Sequence, residues 1–256
     1  MKHGIVVPCY NEGSRLDLKT FVEFAEKRKD IHLCFVNDGS RDHTRSALAE
    51  IKHDAHDNVY ILSTDINSGK AEAVRQGALF LYQETEVDTI GFLDADLSTS
   101  FNEYNDLVRN YEENSNAQII FGSRNLNKSD NTIERNPIRN LISGCIGLLI
   151  RAITRLKIKD TQCGAKVFDR NLIPLIYSSS FFSRWLFDVE ILLRLKKTIG
   201  VAKFTDIFRE IPLKKWVHMD DSKLGMKDSI LIPVNLLKIW LEYDAKPWLK
   251  TLTIKS

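Results

Sequence analysis

At 256 residues, with 43% hydrophobic and 27% charged side chains, the chain is long enough to bury one large α/β core, and its composition excludes a disordered or collagen-like protein. A formal net charge of +2 excludes the whole-molecule field that would imply nucleic acid, so any basic function must be local and no nucleic-acid partner is expected. Four scattered cysteines, Cys9, Cys34, Cys145 and Cys163, form no C-x-x-C pair and have no histidine at zinc spacing, which reads as reduced cytoplasmic thiols.

Met1 leads almost directly into the first apolar run, "GIVVP" (4–8), without the pattern of a leader peptide. Further β-branched runs follow at 31–36, 59–62, 88–93 and 118–122, each read as a strand buried on both faces. Helix-like segments at about 15–29, 41–53, 70–84 and 103–113 alternate with them, with caps expected at Ser40 and Ser68. This alternation predicts a mostly parallel sheet covered by helices on both sides.

The composition changes after residue 124, where a polar stretch leads into the apolar and basic segment 135–157. There, Ile142, Cys145, Ile146, Leu149, Ile153 and Leu156 form a helical stripe flanked by Arg135, Arg139, Arg151 and Arg155, which suits either a core helix or an anionic membrane surface. "QCGAKVF" (162–168) and "FREIPL" (208–213) are candidate strands, and "FDVEILLRLKK" (187–197) is a helix. "SILIPVNLLKIWLEY" (229–243) is apolar almost all round, and Pro233 should kink it or delay its start. It is too short to span a bilayer, which leaves an interfacial helix, packing on the domain or a dimer contact. The expected division is a domain over 1–225, with a donor half to 124 and an acceptor half beyond, followed by an arm over 226–256.

In open α/β sheets, ligands bind beyond the carboxyl ends of the strands. Here those exits carry Asn11 and Glu12, then Asn37, Asp38 and Asp42, then Asp94 and Asp96, then Arg124. Asp94 and Asp96 leave an extended chain on the same side, an arrangement that suits Mg²⁺ or Mn²⁺ with substrate phosphates completing the shell. Ser68, Gly69 and Lys70 precede a helix, where backbone N–H groups and a cation can meet a phosphate, yet neither a P-loop nor G-x-G-x-x-G is present. A diphosphate bound outside those motifs points to nucleotide-sugar chemistry. His53 and His56 beside Asp54 and Asp57 read as a solvated helix end rather than a metal site.

"VVPCYNE", "NDGSRDHT", "NSGKAEAVRQG", "FLDADLST" and "GSR" resemble, in order and spacing, the motifs of inverting family-2 glycosyltransferases with the GT-A fold. "DTQCGAKVF" and "RWLFDVEILLR" are similar to the branch that makes dolichyl-phosphate and other polyprenyl-phosphate sugars, especially the β-glucosyltransferases. The resemblance implies that Pro8, Tyr10, Glu12 and Asp38 line the nucleoside, that Lys70 and Asp94 approach it or its diphosphate, and that Asp96 is the main metal ligand. It further implies that Arg124, Arg139 and Ser143 hold the acceptor phosphate. Asn37, Ala71, His218 and Asp221 depart from the family's usual residues. Asp160 and Asp188 are candidates for a sugar-side or base role, Gln162 for donor contact, and Trp185 for stacking on a sugar.

These features imply a metal-dependent enzyme at the cytoplasmic face of a membrane. It would move a hexose, foremost glucose from UDP-glucose, to a polyprenyl or dolichyl phosphate, with a homodimer or membrane-protein partner possible. Two alternatives are transfer to a hydroxyl acceptor, which needs a base, and a non-catalytic nucleotide-sugar or lipid-phosphate binder.

Overall fold

The structure, a computed structural model, describes residues 1–124, 137–217 and 226–245, with 137–145, 226–230, 244–245 and His56 described by their backbone. Among the described residues, seven strands form one sheet: β1 (His3–Cys9), β2 (Ile31–Asp38), β3 (Val59–Thr64), β4 (Thr89–Leu93), β5 (Ile119–Ser123), β6 (Ala165–Asp169) and β7 (Phe208–Pro212). The α-helices among the described residues are α1 (Leu18–Lys27), α2 (Thr44–Ala55), α3 (Lys70–Glu84), α4 (Phe101–Glu113), α5 (Pro137–Thr154), α6 (Ile173–Tyr177), α7 (Phe187–Ile199), α8 (Val201–Ile207) and α9 (Met226–Trp240).

The strand order is β3-β2-β1-β4-β6-β5-β7. β1 pairs in parallel with both β2 and β4, and β5 with β7, while β6 runs antiparallel between β4 and β5. The antiparallel insertion brings the residues just before β6 to the same edge as the carboxyl ends of β1, β2, β4 and β5. Asp160 and Gln162 therefore join Asp94 and Arg124 despite their distance in sequence.

Chain order reverses at the β1–β4 boundary, the switch point where open α/β sheets bind ligands. The β1–β4 register ends at Val6 and Phe92, whereas β1 continues along β2 to the Cys9–Asn37 pair. β1 thus runs on past the end of β4 at Pro8, where it has lost its β4 neighbour and a missing N–H costs no ladder bond.

One core, including Phe21, Phe35, Phe101 and Leu107, lies beneath α1, α2 and α4. The other, including Val74, Leu81, Phe92, Phe121 and Phe187, lies beneath α3, α6 and α7. The edge strand β3 is only half buried, contrary to expectation, because no described strand covers its outer side.

The expected caps are corrected. The Ser40 hydroxyl accepts from the Asn11 N–H at 3.0 Å, while Asp42 Oδ1 accepts from Thr44 N–H at 3.0 Å where α2 begins. α3 starts after Gly69, whose φ is 96°, a conformation that glycine adopts readily. Ser100 does cap α4, accepting from Glu103 N–H at 3.4 Å.

On α5, Ile146, Ile150 and Ile153 face a third cluster with Val189, Leu193, Leu236 and Ile239. Leu148 and Leu149, the latter on the helical stripe read from the sequence, are 64% and 43% exposed. α9 is not buried all round, and Pro233 falls inside it rather than at its start. Leu236 and Ile239 are buried, whereas Leu231, Val234, Leu237 and Leu241 are 49%, 46%, 53% and 42% exposed. The helix packs on the domain through one face and shows solvent an apolar stripe on the other.

Candidate active site at the carboxyl edge of the sheet

Asp94 leaves the end of β4, its N–H donating to the Gly164 carbonyl at 3.1 Å. A Cβ at Gly164 would collide with the Asp94 carboxylate, so glycine there lets β4 and the lead into β6 close around the acid. Asp94 Oδ1 lies 2.5 Å from Lys70 Nζ, and both side chains are partly exposed. Burial alone would lower the Lys70 pKa, but Asp94, Asp188 and Asp96 hold it above the ordinary lysine value. The ammonium is therefore charged at neutral pH.

Asp96 Oδ1 accepts from Ser98 N–H at 3.0 Å, and Oδ2 lies 3.4 Å from an Arg15 terminal nitrogen. Leu97, between them, has φ of 52°, a left-handed conformation costing a leucine about 1–2 kcal/mol that the surrounding fold must supply. Arg15 Nε also lies 3.6 Å from Glu12 Oε2, placing this guanidinium between the first and fourth strand exits. Sequence reasoning passed over Arg15, which belongs to none of the motifs.

Asp38 is buried, and its two oxygens accept from the N–H groups of Ser68 and Gly69, each at 2.7 Å. It shapes the loop that delivers Lys70. Asn37 Oδ1 accepts from Ser40 N–H at 3.2 Å, a local role that a neutral amide fills. Ala71 is buried, with its N–H donating to the Arg184 carbonyl at 3.3 Å. Pro8, Tyr10 and Glu12 line the exit of β1, with Glu12 N–H donating to Thr44 Oγ1 at 2.8 Å.

Arg124 and Asp160 form a forked pair, Nε donating to Oδ2 at 2.7 Å and a terminal nitrogen to Oδ1 at 2.9 Å. The Arg124 N–H adds a third bond to Oδ2 at 3.0 Å. Burial opposes charge on both partners, yet their mutual attraction lowers the Asp160 pKa and raises that of Arg124. The guanidinium carbon lies 5.4 Å from the centre of the Trp216 ring. Gln162 Nε2, just beyond Asp160, is buried without a hydrogen-bond partner among the described residues, an unmet donor at this edge.

Asp188 is the second residue of α7, whose N-cap is Leu186. Its Oδ1 lies 2.7 Å from Nζ of Lys166, whose side chain is fully buried. Lys166 also donates to the Cys163 carbonyl at 2.6 Å and lies 4.9 Å and 4.6 Å from the ring centres of Phe92 and Phe121. Burial raises the Asp188 pKa despite Lys166 and Lys70. Lys166 was missed because it sits in an apolar run, where alternation alone gives no reason to expect a buried cation.

Beyond β7, Val217 N–H donates to the Ser98 carbonyl at 3.0 Å, so the chain returns across the Asp96 turn. His218 and Asp221 lie outside the described residues, as do the side chains of Arg139 and Ser143, whose backbone belongs to α5. His53 is exposed and pairs with Asp54 at 2.8 Å. Among the described residues, no group of three histidine, cysteine or acidic side chains gathers as a metal cluster, and no helix is long and apolar enough to cross a membrane.

Residues 4–174 match the profile of Glycosyl transferase family 2. A dolichyl-phosphate β-glucosyltransferase of Trichomonas vaginalis is 29% identical, covering 96% of this chain and 75% of its own. Those of Dictyostelium discoideum and Homo sapiens are each 30% identical, covering 96% of this chain and 76% of theirs. The fold is that of a Mycobacterium tuberculosis glucosyl-3-phosphoglycerate synthase solved with Mn²⁺, UDP-glucose and phosphoglyceric acid, at TM-score 0.65 and 17% identity over 93% of this chain and 79% of that one. With its acids, lysine and arginine gathered at the switch point of a GT-A-type sheet, this chain belongs to glycosyl transferase family 2 and is a glycosyltransferase.

Proposed function

We propose that the protein transfers glucose from UDP-glucose, with inversion, to a dolichyl or other polyprenyl phosphate. The observation that carries this reading is the meeting, at one sheet edge, of the Lys70–Asp94 pair, Asp96 and the Arg124–Asp160 fork, in a chain whose 29–30% identical relatives are dolichyl-phosphate β-glucosyltransferases.

The exit of β1 at Pro8, Tyr10 and Glu12 is the proposed nucleoside site, and Asp38 sets the loop that carries Lys70 toward the diphosphate. Asp94 and Asp96 are partly exposed and offer the one or two protein carboxylates that Mg²⁺ or Mn²⁺ takes when water and phosphate complete its shell. The residues therefore fit such an ion, which when bound would neutralise charge on the departing diphosphate. Lys70 adds a fixed cation to the same end of the donor, and the buried Gln162 amide is a ready donor to it.

A phosphate monoester with a second pKa near about 6 is already an anionic nucleophile at neutral pH. The acceptor side therefore needs a cation that orients more than it needs a base. Asp160 gives both oxygens to Arg124, so its proposed role is to present that guanidinium rather than to take a proton. Arg139 and Ser143 remain proposed phosphate contacts. Asp188, tied to Lys166, supplies the buried negative charge that helps keep Lys70 protonated.

The apolar stripe of α9, with Leu148 and Leu149 of α5, is proposed to rest on the cytoplasmic membrane surface that carries the acceptor. Burying one leucine is worth roughly 1.5–3 kcal/mol, so four to six such residues suffice for peripheral attachment. The reading is tested by supplying radiolabelled UDP-glucose, Mg²⁺ or Mn²⁺ and a short polyprenyl phosphate. A lipid-soluble β-glucosyl phosphate supports it, whereas product only on sugar hydroxyls, or donor binding without turnover, favours the two alternatives in turn.

A further inference from the structure

The segment Ser179–Arg184 connects two parts of the molecule that the site itself does not link. At one end, Arg184 donates to the Asn67 carbonyl at 3.1 Å and to the Asn67 side chain, while its own carbonyl accepts from Ala71 N–H. A Cβ at Gly69 would strike the Arg184 side chain. Arg184 is thus packed against the loop that carries Lys70.

At the other end, the segment's backbone is held by two side chains of α7. Glu190, fully buried, accepts from the N–H groups of Phe182 at 2.9 Å and Ser183 at 2.7 Å. Arg194 donates to the carbonyls of Ile176 and Ser179, each at 2.7 Å, and of Ser180 at 2.6 Å. Tyr243, in the π-helical turn after α9, joins these two holders. Its hydroxyl accepts from Arg194 Nε at 2.9 Å and donates to Glu190 Oε2 at 3.0 Å.

We infer that Tyr243 is a positioning residue through which the carboxy-terminal arm fixes Ser179–Arg184, and through Arg184 the Lys70 loop, for donor binding. The chemistry favours an energetic role over a decorative one. Burial raises the Glu190 pKa, against the donors that surround it, so each hydrogen bond to this carboxylate supports its charged, accepting form. Removal of the tyrosine hydroxyl leaves Glu190 Oε2 with one fewer donor and Arg194 Nε with one fewer acceptor in a poorly solvated place, and networks of this kind lose more than one bond's worth.

The functional half of this inference rests on the proposed UDP-glucose reading; the structural half does not, and the test separates them. In the full-length chain, Tyr243→Phe keeps the ring and removes only the hydroxyl. Hydrogen exchange should accelerate about tenfold at the Phe182 and Ser183 amides, with β1 and β4 unchanged, as expected for loss of roughly 1.4 kcal/mol of local protection. In steady-state assays the KM for UDP-glucose should rise about three- to tenfold, with kcat within about twofold of wild type. Unchanged exchange at Phe182 and Ser183 would overturn the coupling, whatever the substrate. Accelerated exchange with an unchanged donor KM, in an enzyme that does use UDP-glucose, would overturn the positioning role. If Tyr243→Phe fails to fold, Arg184→Lys, which keeps the charge but loses the planar fork, must show the same KM-selective defect for the inference to stand.

Discussion

Arg124 and Asp160 grip one another through two parallel hydrogen bonds of 2.7 Å and 2.9 Å, with the arginine's own backbone N–H closing a third at 3.0 Å. The guanidinium proposed to receive the acceptor phosphate is thereby fixed before any phosphate arrives. Pre-set orientation of this kind removes part of the entropic cost of binding.

Asp160→Asn tests that relationship. An amide cannot accept at both positions, so Arg124 should lose its fixed orientation and the KM for the lipid phosphate should rise about tenfold, with donor KM little changed. Arg124 retains partial exposure, so the stability cost should be about 1–3 kcal/mol, below that of a fully buried pair. The pH dependence has a definite sign. The Asp160 pKa is lower in the folded chain than in the unfolded one, so its contribution is present above about pH 4 and is lost as pH falls through the folded value. Thermal denaturation between about pH 2 and pH 5 should show a shallower acid decline in Asp160→Asn than in wild type.

The Lys166–Asp188 pair makes a different prediction. Lys166→Met removes the partner of a buried acid and should cost about 3–5 kcal/mol, read from the urea midpoint. The double change Lys166→Met with Asp188→Asn removes the uncompensated charge, and should recover at least about 1 kcal/mol of that loss, because contacting residues do not add. Equal additivity would mean that the two side chains act independently.

The exposed stripe of α9 is testable without touching chemistry. Leu231→Gln with Leu237→Gln alters two residues about half exposed, so the melting temperature should move by no more than about 2 °C. Co-sedimentation with anionic vesicles should fall at least about tenfold, because each leucine inserted into lipid is worth more than about 1.4 kcal/mol. Undiminished sedimentation would remove the stripe from the membrane contact.

Much of this arrangement was legible in the sequence, for physical reasons that differ between elements. The strands β1, β2, β4 and β5 announce themselves because they are buried on both faces and so read as continuous apolar runs. Asp94 and Asp96 stand out because polar residues abruptly end such a run. The antiparallel direction of β6 has no local signal, since strand direction is set by where the long 124–164 excursion returns. The one-sided burial of α9 was hidden for a related reason: when both faces are apolar, periodicity cannot say which one finds a partner. Lys166, Arg15 and Tyr243 were unreadable because each owes its role to residues distant in sequence.

The proposed division of labour has Asp94 and Asp96 serve donor departure while Arg124 receives a lipid phosphate. It is tested most directly by acceptor discrimination: radiolabelled UDP-glucose, Mg²⁺ or Mn²⁺, and either a polyprenyl phosphate or the matching polyprenol, with wild type and Asp96→Ala in parallel. Glucosyl transfer to the phosphate is expected, with none to the alcohol and a fall of at least about a hundredfold in Asp96→Ala, the scale of losing a main electrostatic contributor to the transition state. Equal transfer to polyprenol, or wild-type turnover in Asp96→Ala, would contradict it.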